Sequence, residues 1–129
     1  ILGSRNKNRA QMAAEEIRRM CPGSKITGAT NLDAARKGNV VFLVVPFASQ
    51  MDILSELKVY LADKLVVTAI VPLKFQAGRA IYMDVPEGSA AAQAQKVLST
   101  SKVVAAFQNL SAKCHCKKWR FSKYKPSKQ

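Results

Sequence analysis

Val40-Val41-Phe42-Leu43-Val44-Val45-Pro46 decides the fold: six apolar residues in unbroken succession, closed by a proline. An unbroken apolar run, as opposed to an alternating one, predicts a strand buried on both faces, the signature of a parallel sheet. Proline cannot donate to a sheet ladder and so ends the strand. Two further runs of the same kind follow, Lys64 to Val71 before Pro72 and Lys102 to Phe107. Between the first two, residues 49–62 place Met51, Ile53, Leu54, Leu57 and Leu61 at helical spacing, which predicts an amphipathic helix with these residues inward. Ser89 to Ser99 reads as an alanine-rich helix, and residues 73–86 as an extended loop with a hairpin around Ala80-Ile81-Tyr82-Met83. Strands and helices in alternation, with short connections, imply an α/β sheet with right-handed crossovers.

Towards the amino end, Asn31-Leu32-Asp33 starts a short helix that runs through Arg36 to a C-cap glycine, Gly38. Lys25-Ile26-Thr27-Gly28-Ala29 is a weak strand. Residues 6–20 carry Ala10, Ala13, Ala14, Ile17 and Met20 on one helical face, with Asn6 as N-cap and Cys21-Pro22-Gly23 as the stop. Before this helix stands Ile1-Leu2-Gly3-Ser4-Arg5, an apolar stub that runs straight into Ser-Arg. In dinucleotide-binding α/β folds the end of the second strand reads the adenosine ribose, where an acid accepts the ribose hydroxyls of NAD. Ser4 and Arg5 offer a hydroxyl and a guanidinium instead, which suit the extra phosphate of NADP. The same residues also fit a solvated helix start that happens to be basic. A first strand and a glycine-rich turn should precede this point and do not, so the chain is expected to begin inside its own cofactor site.

The 129 residues suffice for one domain with a real core, and 48% are apolar, well outside the disordered range. A formal charge of +13 suggests nucleic acid until it is mapped. Residues 111–129 hold seven Lys or Arg and no acid, which leaves 14 basic and 8 acidic residues in the body. That body is only moderately basic, as a polyphosphate-binding domain would be. No apolar run reaches membrane-spanning length and no signal peptide is visible, so a cytoplasmic protein is expected. An Ile at position 1 implies that processing or truncation removed something. Three cysteines, Cys21, Cys114 and Cys116, are too few and odd in number for a disulfide framework. Cys114-His115-Cys116 is too tight, and lacks a second ligand pair, for a structural zinc site, so no metal is expected.

Several pieces together resemble the NADPH-dependent reductases of the deazaflavin coenzyme F420. They are Gly3-Ser4-Arg5, Val44-Val45-Pro46-Phe47, Val71-Pro72-Leu73-Lys74-Phe75, Pro86-Glu87-Gly88-Ser89-Ala90-Ala91, Ala92-Gln93-Ala94-Gln95, and the stretch from Val103-Val104-Ala105-Ala106-Phe107 to Ala112. The resemblance covers residues 1–112 and implies an incomplete Rossmann-like, doubly wound parallel sheet lacking the first strand and the Gly-rich turn. Loss of that central strand would leave an open seam between Ile1-Leu2 and Val40–Val45. The family's reaction passes a hydride between NADP(H) and F420 as co-substrate, chemistry the cofactors carry themselves, so no catalytic acid, base or nucleophile is expected. By resemblance, Ser4, Arg5 and Arg9 contact the adenosine 2′-phosphate. Val45-Pro46-Phe47 and Ile70-Val71-Pro72 would border ribose and nicotinamide, and Gln108, Asn109 and Leu110 would face the nicotinamide or deazaflavin. The family allows a homodimer.

Residues 113–129 depart from the family and are expected to form a basic, disordered tail. The polypeptide as written is expected to show little or no reductase activity. Two alternatives stay open. One is a basic anion- or nucleic-acid-binding protein acting through Trp119, Phe121 and Tyr124 among the tail's lysines. The other is a different NADP-dependent Rossmann reductase.

Overall fold

A computed structural model describes residues 1–110; the basic tail, with Cys114-His115-Cys116, lies outside the described residues. In chain order the elements are β1 (Leu2–Ser4), α1 (Lys7–Met20), β2 (Gly28–Thr30), α2 (Asn31–Lys37), β3 (Val40–Leu43), a 3-10 turn (Phe47–Ser49), α3 (Gln50–Leu61), β4 (Leu65–Thr68), the hairpin β5 (Leu73–Gln76) and β6 (Arg79–Tyr82), α4 (Ala90–Val97) and β7 (Lys102–Ala105). All strands outside the hairpin pair in parallel. β1 pairs with β2, and β3, β4 and β7 form a second sheet in that order. The expected parallel α/β architecture is therefore present, as two half-sheets.

The core lies on one face of the larger half-sheet. Leu43 and Val66 pack there with Ile53, Leu54, Leu57 and Leu61 of α3 and with Ala90, Ala94 and Leu98 at α4. Gln50, completely buried, ties these helices together: its amide donates to the Ala90 carbonyl at 3.0 Å and to Gln93 Oε1 at 2.9 Å. Lys64, read in the sequence as the start of a strand, turns its ammonium onto the last carbonyls of α2, Ala35 O at 2.6 Å and Arg36 O at 3.1 Å. A cation there complements the negative helix end.

Two local expectations are corrected, and the rest gain detail. β3 is not buried on both faces: Val40 and Phe42 are exposed, as is Val104 on β7, because among the described residues the helices beside this half-sheet pack on its other face. Met51 points outward, being 41% exposed, while its helical neighbours Ile53 and Leu54 take the core positions. Gly38 is the C-cap of α2 as expected, in an extended conformation (φ −79°), its N–H donating to the Ala34 carbonyl at 2.9 Å. The cap at the other end is Thr30, whose hydroxyl accepts from Asp33 N–H at 3.1 Å and donates to the Asp33 carboxylate at 2.9 Å. Asn31 is thus the first helical residue. The loop after Pro72 is a true hairpin, turned by Ala77 (φ 50°) and Gly78 (φ 74°). Positive φ at both turn residues matches the right-handed twist of the paired strands.

Ser89 caps α4 by accepting from Ala92 N–H at 3.0 Å, and Glu87, two residues earlier, accepts from Lys96 at 3.1 Å. The Lys96 hydrogen bond holds the Glu87 carboxyl below its ordinary range, helped by a backbone N–H. A depressed carboxyl adds stability above its unfolded pKa and loses it as pH falls through the folded value. Lys96→Met is therefore expected to raise the Glu87 titration midpoint, read from its carboxyl carbon shift, and to bring acid unfolding to a higher pH.

Candidate cofactor site

Parallel strands deliver their carboxyl ends to one edge of a sheet, and in open α/β sheets that edge is where ligands lie. Here those ends are Ser4-Arg5 after β1 in the smaller half-sheet, and Val44-Val45-Pro46 after β3, Ala69 to Pro72 after β4 and Ala106 to Leu110 after β7 in the larger. The sequence-derived candidates fall at these ends, apart from Phe47, which opens the 3-10 turn, and Arg9, which lies in the first turn of α1.

The corner at Ser4 is the most specific. Asn6 has extended backbone (φ −113°, ψ 112°) and caps α1, its side-chain oxygen accepting from Asn8 N–H at 3.0 Å and Arg9 N–H at 3.2 Å. Its own N–H donates to the Ser4 hydroxyl oxygen at 3.2 Å. Arg5, Lys7 and Arg9 are all exposed around this turn, and α1 has no acid in its first turn. None of the three forms a salt bridge among the described residues. Helix N-termini carry partial positive charge, so three cations and no acid is an unfavourable arrangement that a bound anion would relieve. The same protein follows the usual preference at α2 and α3, which place Asp33 and Asp52 in their first turns.

At the other strand ends the candidates divide. Val45 and Phe47 are half-buried against the core, and Pro46 is exposed at the entrance to the 3-10 turn. Ile70 and Pro72 are buried, Ile70 within the core cluster, so these two present backbone to the edge and Val71 presents side chain. Gln108, Asn109 and Leu110 are exposed, and Gln108 is anchored by its amide, which donates to the Thr68 carbonyl at 3.0 Å. Phe107, not singled out from the sequence, has φ 71° and sets its ring 5.9 Å from Phe42. A left-handed aromatic residue is uncommon and marks a turn held by its surroundings. Periodicity gives no signal for it.

A cavity of about 490 Å³ separates the two half-sheets. Ile1, Leu2 and Gly3 line one side, and Val40 to Val45 the other, with Ile53 and Leu57 behind. Among the described residues β1 pairs only with β2, and β3 only with β4, so both edges that flank the cavity carry unpaired backbone groups. The described residues contain no group of three His, Cys, Asp or Glu placed to hold a metal, and no helix long and apolar enough to cross a membrane.

Comparison with known proteins agrees with this geometry. A solved structure from Arthrobacter sp. FB24, assigned as an F420-dependent NADP-reductase, superposes with a TM-score of 0.65 over 80% of this chain and 48% of its own, at 24% identity, which establishes the fold. The F420-dependent NADP reductase of Methanocaldococcus jannaschii is 38% identical over 123 residues, covering 89% of this chain and 53% of the relative. That of Methanothermobacter thermautotrophicus is 38% identical over 118 residues, covering 87% and 51%. The chain thus spans about half the length of the curated relatives it matches. The family model for coenzyme F420-dependent NADP oxidoreductases matches residues 1–72, more than half of the chain, and to that family the chain belongs.

Proposed function

We propose that residues 1–112 supply the adenosine side and part of the nicotinamide edge of an NADP site, in a cytoplasmic reductase that transfers a hydride between NADP(H) and coenzyme F420. The observation that carries this is the cation-rich, acid-free start of α1 beside Ser4. Ser4, Arg5 and Arg9 would hold the 2′-phosphate. Val45-Pro46-Phe47 and Ile70-Val71-Pro72 would border ribose and nicotinamide, and Gln108, Asn109 and Leu110 would close the pocket on the acceptor side. The bound cofactors supply the redox chemistry. The protein's part is to orient them and to exclude water, which needs no acid, base or nucleophile from this chain. The cofactors are the partners this reading requires, and a homodimer is compatible with it.

The test uses two ligands that need only this corner, 2′,5′-ADP and 5′-AMP, titrated by calorimetry. Preference for 2′,5′-ADP is expected. Arg5→Ala should lower its affinity by roughly ten- to a hundredfold, the worth of a charge-assisted hydrogen bond. The Tm should hold or rise, because the substitution removes a cation from a positive helix end. Equal affinity for the two ligands in the unmodified chain would sink the reading.

A further inference from the structure

We infer that Asn6 is a positioning residue that sets the preference for a 2′-phosphate, an inference that rests on the NADP reading above. A helix N-terminus ordinarily binds anions through its free amides. At α1 most of those amides are committed, Lys7 N–H being the exception among the described residues. Asn6 takes Asn8 N–H and Arg9 N–H on its side-chain oxygen, and Ala10 N–H donates to the Asn6 carbonyl at 3.2 Å. An anion at this corner is therefore left mainly to side chains, with Lys7 N–H as the one amide of the first turn still open to it. The backbone of Asn6 prepares one of them. Its N–H occupies the Ser4 oxygen as a donor, which leaves the Ser4 hydroxyl proton to donate outward, the role a phosphate oxygen requires.

The choice of Asn carries the rest of the inference. Asn, Asp and Ser cap helices about equally well, and Asp would gain further from the helix dipole. Stability alone favours Asp here. A neutral amide forgoes that gain and keeps a negative charge away from Ser4, Arg5 and Arg9.

Asn6→Asp and Asn6→Ser, titrated with 2′,5′-ADP and 5′-AMP, separate the two roles of the cap. Asn6→Asp should keep or raise the Tm while weakening 2′,5′-ADP by about tenfold, the scale of one like charge near a surface phosphate. Binding of 5′-AMP, which lacks the 2′-phosphate, should suffer far less. Asn6→Ser, a neutral cap, should restore most of the discrimination. An unchanged preference in Asn6→Asp overturns the proposal, since the phosphate would then lie away from the capped turn. Loss of preference in Asn6→Ser overturns it too, since the carboxamide itself would then be a ligand contact. Absence of any preference in the unmodified chain is the separate result that removes the NADP reading and this inference with it.

Discussion

Gly28→Ala is expected to unfold the β1–α1–β2 half of the molecule, with a loss of about 3 kcal/mol or more. A Cβ at position 28 would overlap the backbone of α1 itself, at the carbonyl of Ala10 and the amide of Gln11. Flexible side chains can rotate away from such a clash, but a helix backbone can only translate. Translation would pull Ala10 and Ala14, each 1% exposed, off the half-sheet. Those two alanines are small for the same reason that residue 28 is glycine: the helix axis lies close against β2. Domains have only about 5–15 kcal/mol in total, so this one methyl group removes a large share. Gly23→Ala is the control. Its φ of 88° disfavours a side chain, but no atom lies within 4 Å, so a loss near 1 kcal/mol from backbone strain alone is expected. Urea unfolding of the two variants measures the difference, and near-equal losses would show that the close approach of α1 to β2 has been misjudged.

Gly28 also shows where the sequence was legible and where it was not. Periodicity and proline stops placed α1, α3, α4 and the three strands of the larger half-sheet, because repeated burial writes a repeated pattern. The sequence shows Gly28 only as part of a weak strand over residues 25–29, and the strand proves to be Gly28–Thr30. A lone glycine does not say which backbone approaches it. The contacts of Gln50 and Lys64 were equally silent, since each joins groups at least 28 residues apart. At the candidate site, Ser4, Arg5 and Arg9 were legible as residue types. The hydrogen bond from Asn6 N–H to the Ser4 hydroxyl oxygen, which leaves that hydroxyl's own proton free to donate, was not. Apolar runs predicted two buried faces for β3, and one is bare. An apolar run does not say which face a helix will cover, and Val40 and Phe42 stay 48% and 59% exposed even with the Phe107 ring beside Phe42.

That bare face and the unpaired edges beside the cavity lead to the largest functional effect. Intact NADPH is expected to bind the polypeptide of residues 1–129 no more tightly than 2′,5′-ADP, and hydride transfer to F420 should be undetectable. Placing a strand, a glycine-rich turn and a helix ahead of Ile1 should raise NADPH affinity by a hundredfold or more, with 2′,5′-ADP gaining much less. Each part of this extension answers a separate observation. A parallel strand between β1 and β3 would pair both free edges, and unpaired backbone groups cost roughly 1–3 kcal/mol each when buried. By the right-handed crossover rule, a helix joining that strand to β1 would pack on the side of the sheet where α1 lies. Val40 and Phe42, on the strand next to the added one, would lie beside its seat. The turn between them would aim free amides at the pyrophosphate, a group the adenosine corner does not reach. A gain of two or more kcal/mol corresponds to a Tm higher by about 10 °C in a domain this size. Bulky residues in place of the glycines provide the internal control: the Tm gain should survive and the NADPH gain should vanish. A raised Tm with no gain in NADPH affinity, even with the glycines intact, would mean that the cavity accepts a strand but that this edge of the sheet is not where the cofactor's pyrophosphate sits.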